Sequence, residues 1–197
     1  MTSPRDQYPA KKSLVDYIIN EIWENGDPHI GTIETEHMRI HRGEHFFRDF
    51  YLSDIDDPSG IKFLINPTGA STEAHLLYAA NFTAGTRIEI YEGFTPLTTG
   101  VQYVALNNKR DSATSADALL YKDCTISGAN PAAHRATGAL ISVIYLGAAG
   151  SNPNVNAPGA GGRGSELILN SNVKYLFWVR PDADNTKGTV GFNWYEE

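Results

Sequence analysis

The feature that most constrains this chain is a succession of short apolar runs, each closed by a cluster of Gly, Pro, Asn or Ser. From about residue 33 the apolar residues recur with period two. The segments are Ile33 to Leu52, Ile61 to Ile65, Ala74 to Phe82, Thr86 to Tyr91, Gly100 to Leu106, Leu119 to Ile126, Gly138 to Leu146, Glu166 to Leu169, Val173 to Arg180 and Thr189 to Tyr195. About eight to ten short strands at regular spacing, with no helical segments between them, predict an antiparallel sandwich or barrel. The pattern predicts an all-β, antiparallel β-sandwich, jelly-roll-like, preceded by an N-terminal arm with one short helix. A parallel α/β fold would need helical crossovers, and the pattern has no room for them.

The expected division is an arm over 1–32 and a sandwich domain over 33–197. Within the arm, residues 1–12 are polar and carry two prolines. Ser13 can then cap a helix in which Leu14, Tyr17, Ile18, Ile22 and Trp23 form an apolar stripe. A helix of about ten residues is marginal alone in water, so the stripe must dock on something. These five residues are the candidate partner-binding residues. A second candidate contact is the segment 147–164, rich in Gly, Ala and Asn, which has few side chains able to build a core and reads as a surface loop.

Charge narrows the partners. Sixteen basic residues against 23 acidic ones give a net charge of -7, and the basic residues are scattered, which argues against a nucleic-acid partner. No apolar stretch approaches the roughly 20 residues that span a bilayer, and the first residues have no signal-like core. No membrane partner is expected. The single cysteine, Cys124, excludes an intrachain disulfide.

Several constellations invite chemistry and are read as bland. His37, His41 and His45 share one parity, so a continuous strand would line three imidazoles along one face. Ligands at i, i+2 would stand roughly 7 Å apart, and the chain has no His-x-His pair of the kind seen in jelly-roll metalloenzymes. Asp54, Asp56 and Asp57 resemble a cation loop but lack the bidentate Glu of an EF-hand, and a solvated turn is the simpler reading. The 159–164 glycines lack the Lys of a phosphate loop, and no Gly-x-Ser-x-Gly elbow occurs. No catalytic residue, cofactor or metal is expected.

The order of blocks carries a resemblance. Ile40-His41-Arg42-Gly43-Glu44-His45-Phe46, Phe63-Leu64-Ile65-Asn66-Pro67, Ala74-His75-Leu76 and Ile90-Tyr91-Glu92-Gly93 come first. Leu106-Asn107-Asn108-Lys109-Arg110, the Gly-rich loop, Glu166-Leu167-Ile168-Leu169, Lys174-Tyr175-Leu176-Phe177 and Asn193-Trp194-Tyr195-Glu196 follow. Over roughly 37–197 the chain resembles tailed-bacteriophage virion structural proteins of the capsid decoration, or cement, type. That resemblance implies a non-enzymatic protein on the head exterior, and the polar N-terminus without a spanning stretch gives the host cytoplasm as its expected place until assembly. The resemblance also implies the phage major capsid protein as partner and a homo-oligomer, a trimer by preference and a dimer as the other option. The rival expectation is a carbohydrate-binding sandwich or a receptor-binding, tail-associated domain, for which two or more exposed coplanar rings are needed.

Overall fold

A computed structural model describes residues 35–57, 59–69, 73–126, 138–146, 155–156 and 166–197. The chain divides into two compact units, Met1–Met38 and Arg39–Glu197. The second holds two antiparallel sheets. The predicted helix of the arm, with Leu14, Tyr17, Ile18, Ile22 and Trp23, lies outside the described residues, as does nearly all of the 147–164 loop.

One sheet, A, has the order β10-β3-β12-β1-β6, with β9 also on β3; the other, B, has the order β5-β7-β2-β11-β4-β8. In chain order the strands are β1 (His45–Ile55), β2 (Ile61–Pro67), β3 (Ala74–Phe82), β4 (Thr86–Glu92), β5 (Val101–Tyr103) and β6 (Leu106–Asn107). Then come β7 (Ala118–Lys122), β8 (Ala139–Leu146), β9 (Val155–Asn156), β10 (Leu167–Leu169), β11 (Tyr175–Pro181) and β12 (Thr186–Glu196). The predicted segments and these strands agree closely, because alternation on a half-buried sheet is a local signal.

The pairing is nested. β1 pairs with β12, β2 with β11, β3 with β10 and β4 with β8, all antiparallel. First strand meets last, second meets second-last, and the ribbon so formed wraps into two sheets. This is the jelly-roll connectivity. β5, β6 and β7 are an excursion between β4 and β8 that extends the β1 edge of sheet A and the β2 edge of sheet B.

The core between the sheets is an aromatic chain. Phe50 and Phe192 of sheet A meet Phe63 and Phe177 of sheet B, with ring centroids 4.8 Å apart for Phe50 and Phe63, 5.2 Å for Phe63 and Phe192, and 5.3 Å for Phe177 and Phe192. Tilted and edge-on rings at these distances gain beyond simple burial. The alternation of Tyr175, Phe177 and Val179 against Leu176, Trp178 and Arg180 predicts that at least half of these residues are core, and all of them except the part-buried Arg180 are buried. The outer row belongs to a second cluster, Leu64, Tyr91, Phe94, Cys124, Leu176 and Trp178, on the far side of sheet B. The middle of sheet B, at β2, β11 and β4, is therefore buried on both faces. Sheet A keeps the alternation of a sheet with one wetter face, as Phe50, Leu52 and Ile55 against Tyr51, Ser53 and Asp54 show.

One expectation fails locally. The first strand zone does not begin near residue 33, because Thr35–Arg42 is a helix, α1, and β1 starts only at His45. Gly43, at φ +74°, ends the helix. Its N–H donates to Ile40 O at 3.0 Å and the Glu44 N–H donates to Arg39 O at 2.9 Å, which is the Schellman pair of bonds that an αL glycine permits. The basic residues Arg39, His41 and Arg42 in the last turn suit that helix end.

Candidate interaction surface

The helix dissolves the histidine row. His37 and His41 lie on α1 and His45 on β1, where its ring is buried against the Asn108 side chain. Among the described residues no group of three or more His, Cys, Asp or Glu side chains is placed to hold a metal. At the β1–β2 turn the Asp56 carboxylate and the Asp57 N–H are engaged with the β11–β12 turn instead. Asp56 Oδ1 accepts from Asn185 N at 3.2 Å, and Asp184 Oδ1 accepts from Asp57 N at 2.9 Å. Cys124 is buried, and burial pushes its thiol up to about 11 despite the nearby Lys62 ammonium. A thiol held protonated is a packing residue, not an activated nucleophile.

Three surfaces remain. The first is a polar knot where β3, β10 and β12 come together. Glu166 Oε1 accepts from Tyr195 OH at 2.7 Å and lies 2.8 Å from His75 Nδ1, while the His75 and Tyr195 rings stack at 4.5 Å. His75 Nε2 faces Glu197 Oε2 at 3.8 Å, and Arg39 pairs with Glu44 and Glu197. Burial and the Glu166 bond push Tyr195 up to about 12. A carboxylate that aligns a histidine is a common base arrangement. Here the other ring nitrogen and one ring face are turned to the chain's own Glu197 and Tyr195, so the knot ties β12 to β3 and to the start of β10.

The second surface is the outer face of sheet B. Register places Lys62, Trp178, Glu89 and Val143 in one row across β2, β11, β4 and β8, with Arg180, Arg87 and Tyr145 in the next. Glu89 is buried. It takes a bond from Tyr91 OH at 2.6 Å and lies 3.0 Å from Arg87 Nε and 3.7 Å from Arg180 Nη1. Arg180 and Lys62 both lie against the Trp178 ring, at 4.5 and 5.1 Å, and the indole N–H donates to Ser59 O. Desolvation lowers Lys62 below the ordinary lysine value. The row is a self-compensating ladder of charge and aromatic faces.

The third surface is apolar. Ile141, Val143 and Tyr145 of β8 are exposed on the edge of sheet B, while Leu97, Val101 and Val104 are exposed around β5 at the opposite edge. Trp178 and Trp194 are buried, and among the described residues the most exposed aromatic rings, Tyr51 and Tyr145, stand on β1 of sheet A and β8 of sheet B respectively. Among the described residues this leaves no pair of exposed rings on one platform. No period or motif in the sequence marks the Glu89 ladder, since Arg87 and Glu89 read as an exposed row until the middle of sheet B is known to be covered.

The fold thus defines a jelly-roll β-sandwich protein. Compared with family models, curated proteins and solved structures, the chain finds no match.

Proposed function

We propose that this chain is a structural virion protein of the decoration, or cement, type, which coats the exterior of a tailed-phage head and binds the major capsid protein as a homo-oligomer. The observation that carries this reading is the pairing of a firmly closed jelly roll with an uncharged apolar strand, β8, left at its edge. A cement protein must bridge subunits without itself deforming. The nested pairing suits that task, because the last strand, β12, lies between β1 and β3, and neither chain end of the sandwich can peel away alone. The order of sequence blocks supports the same role. Contact with the shell falls to Leu14, Tyr17, Ile18, Ile22 and Trp23 of the arm and to the 147–164 loop, and repetition over a symmetric shell multiplies weak contacts.

The test is where the protein sits in purified particles. Cross-linking with mass spectrometry is expected to join its lysines to the major capsid protein, and deletion of residues 1–30 is expected to leave a folded sandwich that no longer coats heads. Cross-links confined to tail proteins, or a truncated chain that decorates at full occupancy, would overturn the reading. A carbohydrate-binding module would require exposed coplanar rings, and the positions of Tyr51 and Tyr145 on different sheets weigh against it.

A further inference from the structure

A sheet edge presents unpaired N–H and C=O groups, and monomeric proteins blunt it with short strands, charges or proline. Most edges here follow that rule. Sheet A ends in the two-residue β6 on one side and in β10 and β9, three and two residues, on the other; sheet B ends in the three-residue β5. β1 beyond Phe47 has no described partner strand on its β6 side, but it carries Arg48, Asp49 and Asp54.

β8 breaks the rule. It is eight residues long, Ala-Leu-Ile-Ser-Val-Ile-Tyr-Leu, with neither charge nor proline, and it is the outermost described strand of sheet B. Ile141, Val143 and Tyr145 are 44%, 39% and 69% exposed. The register slips between Ile90 and Tyr91, which leaves Ile141 as the bulged residue and Ser142 to Leu146 as a regular ladder on β4.

We propose that Ser142–Leu146 pairs antiparallel with the same segment of a second copy, about a two-fold axis at Ile144, so that sheet B runs through both subunits. A second copy is the occupant the strand fits. Antiparallel pairing is two-fold symmetric, so a strand and its copy can always meet in register if their side chains tolerate it. Centred on Ile144, the outer row sets Val143 against Tyr145 of the second copy and Tyr145 against its Val143. Aromatic against β-branched is a favourable cross-strand pair. A charge near the axis would oppose itself, which matters in a chain of net charge -7, and β8 has none. Arg87, 6.0 Å from the Tyr145 centroid, already braces that ring from β4. The inference concerns the sandwich alone and stands whether or not the protein coats a particle.

Sedimentation velocity of the full chain from about 1 to 100 µM tests it. A reversible monomer–dimer equilibrium is expected, and Val143→Lys or Tyr145→Glu should weaken it at least about tenfold with far-UV dichroism unchanged. The register has its own check. Chains carrying Val143→Cys mixed with chains carrying Tyr145→Cys should form disulfide heterodimers faster than either alone forms homodimers, with the buried Cys124 remaining reduced. A monomer at 100 µM, an oligomer indifferent to both substitutions, or cross-linking that ignores the Val143–Tyr145 pairing would overturn the proposal. A dimer with these properties in a protein absent from purified heads would uphold it while removing the virion role.

Discussion

The Tyr91 hydroxyl donates to Glu89 Oε2 across 2.6 Å, two residues apart on the outer face of β4, in a place where neither side chain meets solvent. Glu89 is the only carboxylate in ion-pair contact with both Arg87 and Arg180 among the described residues. Removing it by Glu89→Ala would leave the buried side of Arg180 and the part-exposed Arg87 facing each other without their shared carboxylate. The expected loss is about 3 kcal/mol or more, read as a lower urea midpoint. Tyr91→Phe removes one bond to a charged acceptor and should cost about 1.5–3 kcal/mol. The double mutant should fall short of the sum, because both changes break the same network.

Cys124 should behave as a sealed thiol. At pH 8 its reaction with a disulfide reagent should be at least about a hundredfold slower in the native protein than in denaturant. Burial favours the protonated thiol in the folded state, raising it from 9.0 to about 11. The associated stabilisation is present below about pH 9 and is lost as the pH rises through about 11. Cys124→Ala should flatten that part of the alkaline decline in melting temperature.

Gly60 closes the β1–β2 turn at φ +56°, and a Cβ there would stand 2.1 Å from the Val179 carbonyl oxygen. Gly60→Ala therefore combines left-handed strain with a clash against backbone that cannot step aside. A cost of about 3 kcal/mol is expected, again from equilibrium unfolding.

Glu196 closes the opposite end. Its carboxylate accepts from Asp117 N, Ala118 N and Trp194 Nε1, each at 2.9 Å. Glu196→Ala should cost about 1–3 kcal/mol by leaving those donors short of an acceptor. Proton exchange at Ala118 should quicken, which locates the loss at the start of β7.

Nested pairing also bears on kinetics. β1 can complete its ladder only when β12, from the far end of the chain, arrives. Closing such long loops before any contact rewards them makes all-β folds slow. Refolding after dilution from denaturant should take from milliseconds to seconds, and microsecond refolding would contradict the pairing described.

The strands were legible in the sequence because period-two alternation is a property of neighbouring residues, and β3 and β8 match their predicted segments within a residue. The jelly-roll choice was legible only as a preference, since the β1–β12 and β2–β11 partnerships join residues more than a hundred positions apart. α1 is not legible in the alternation, because Ile33, Met38 and Ile40 continue the apolar pattern of the strand zone, although Gly43 after a basic turn is a helix-stop signal. The chemistry of Arg87, Glu89 and Arg180 was decided entirely by the tertiary structure. Whether an alternating charge on a strand meets water or a second hydrophobic layer depends on what lies over that face, and no local pattern carries that information.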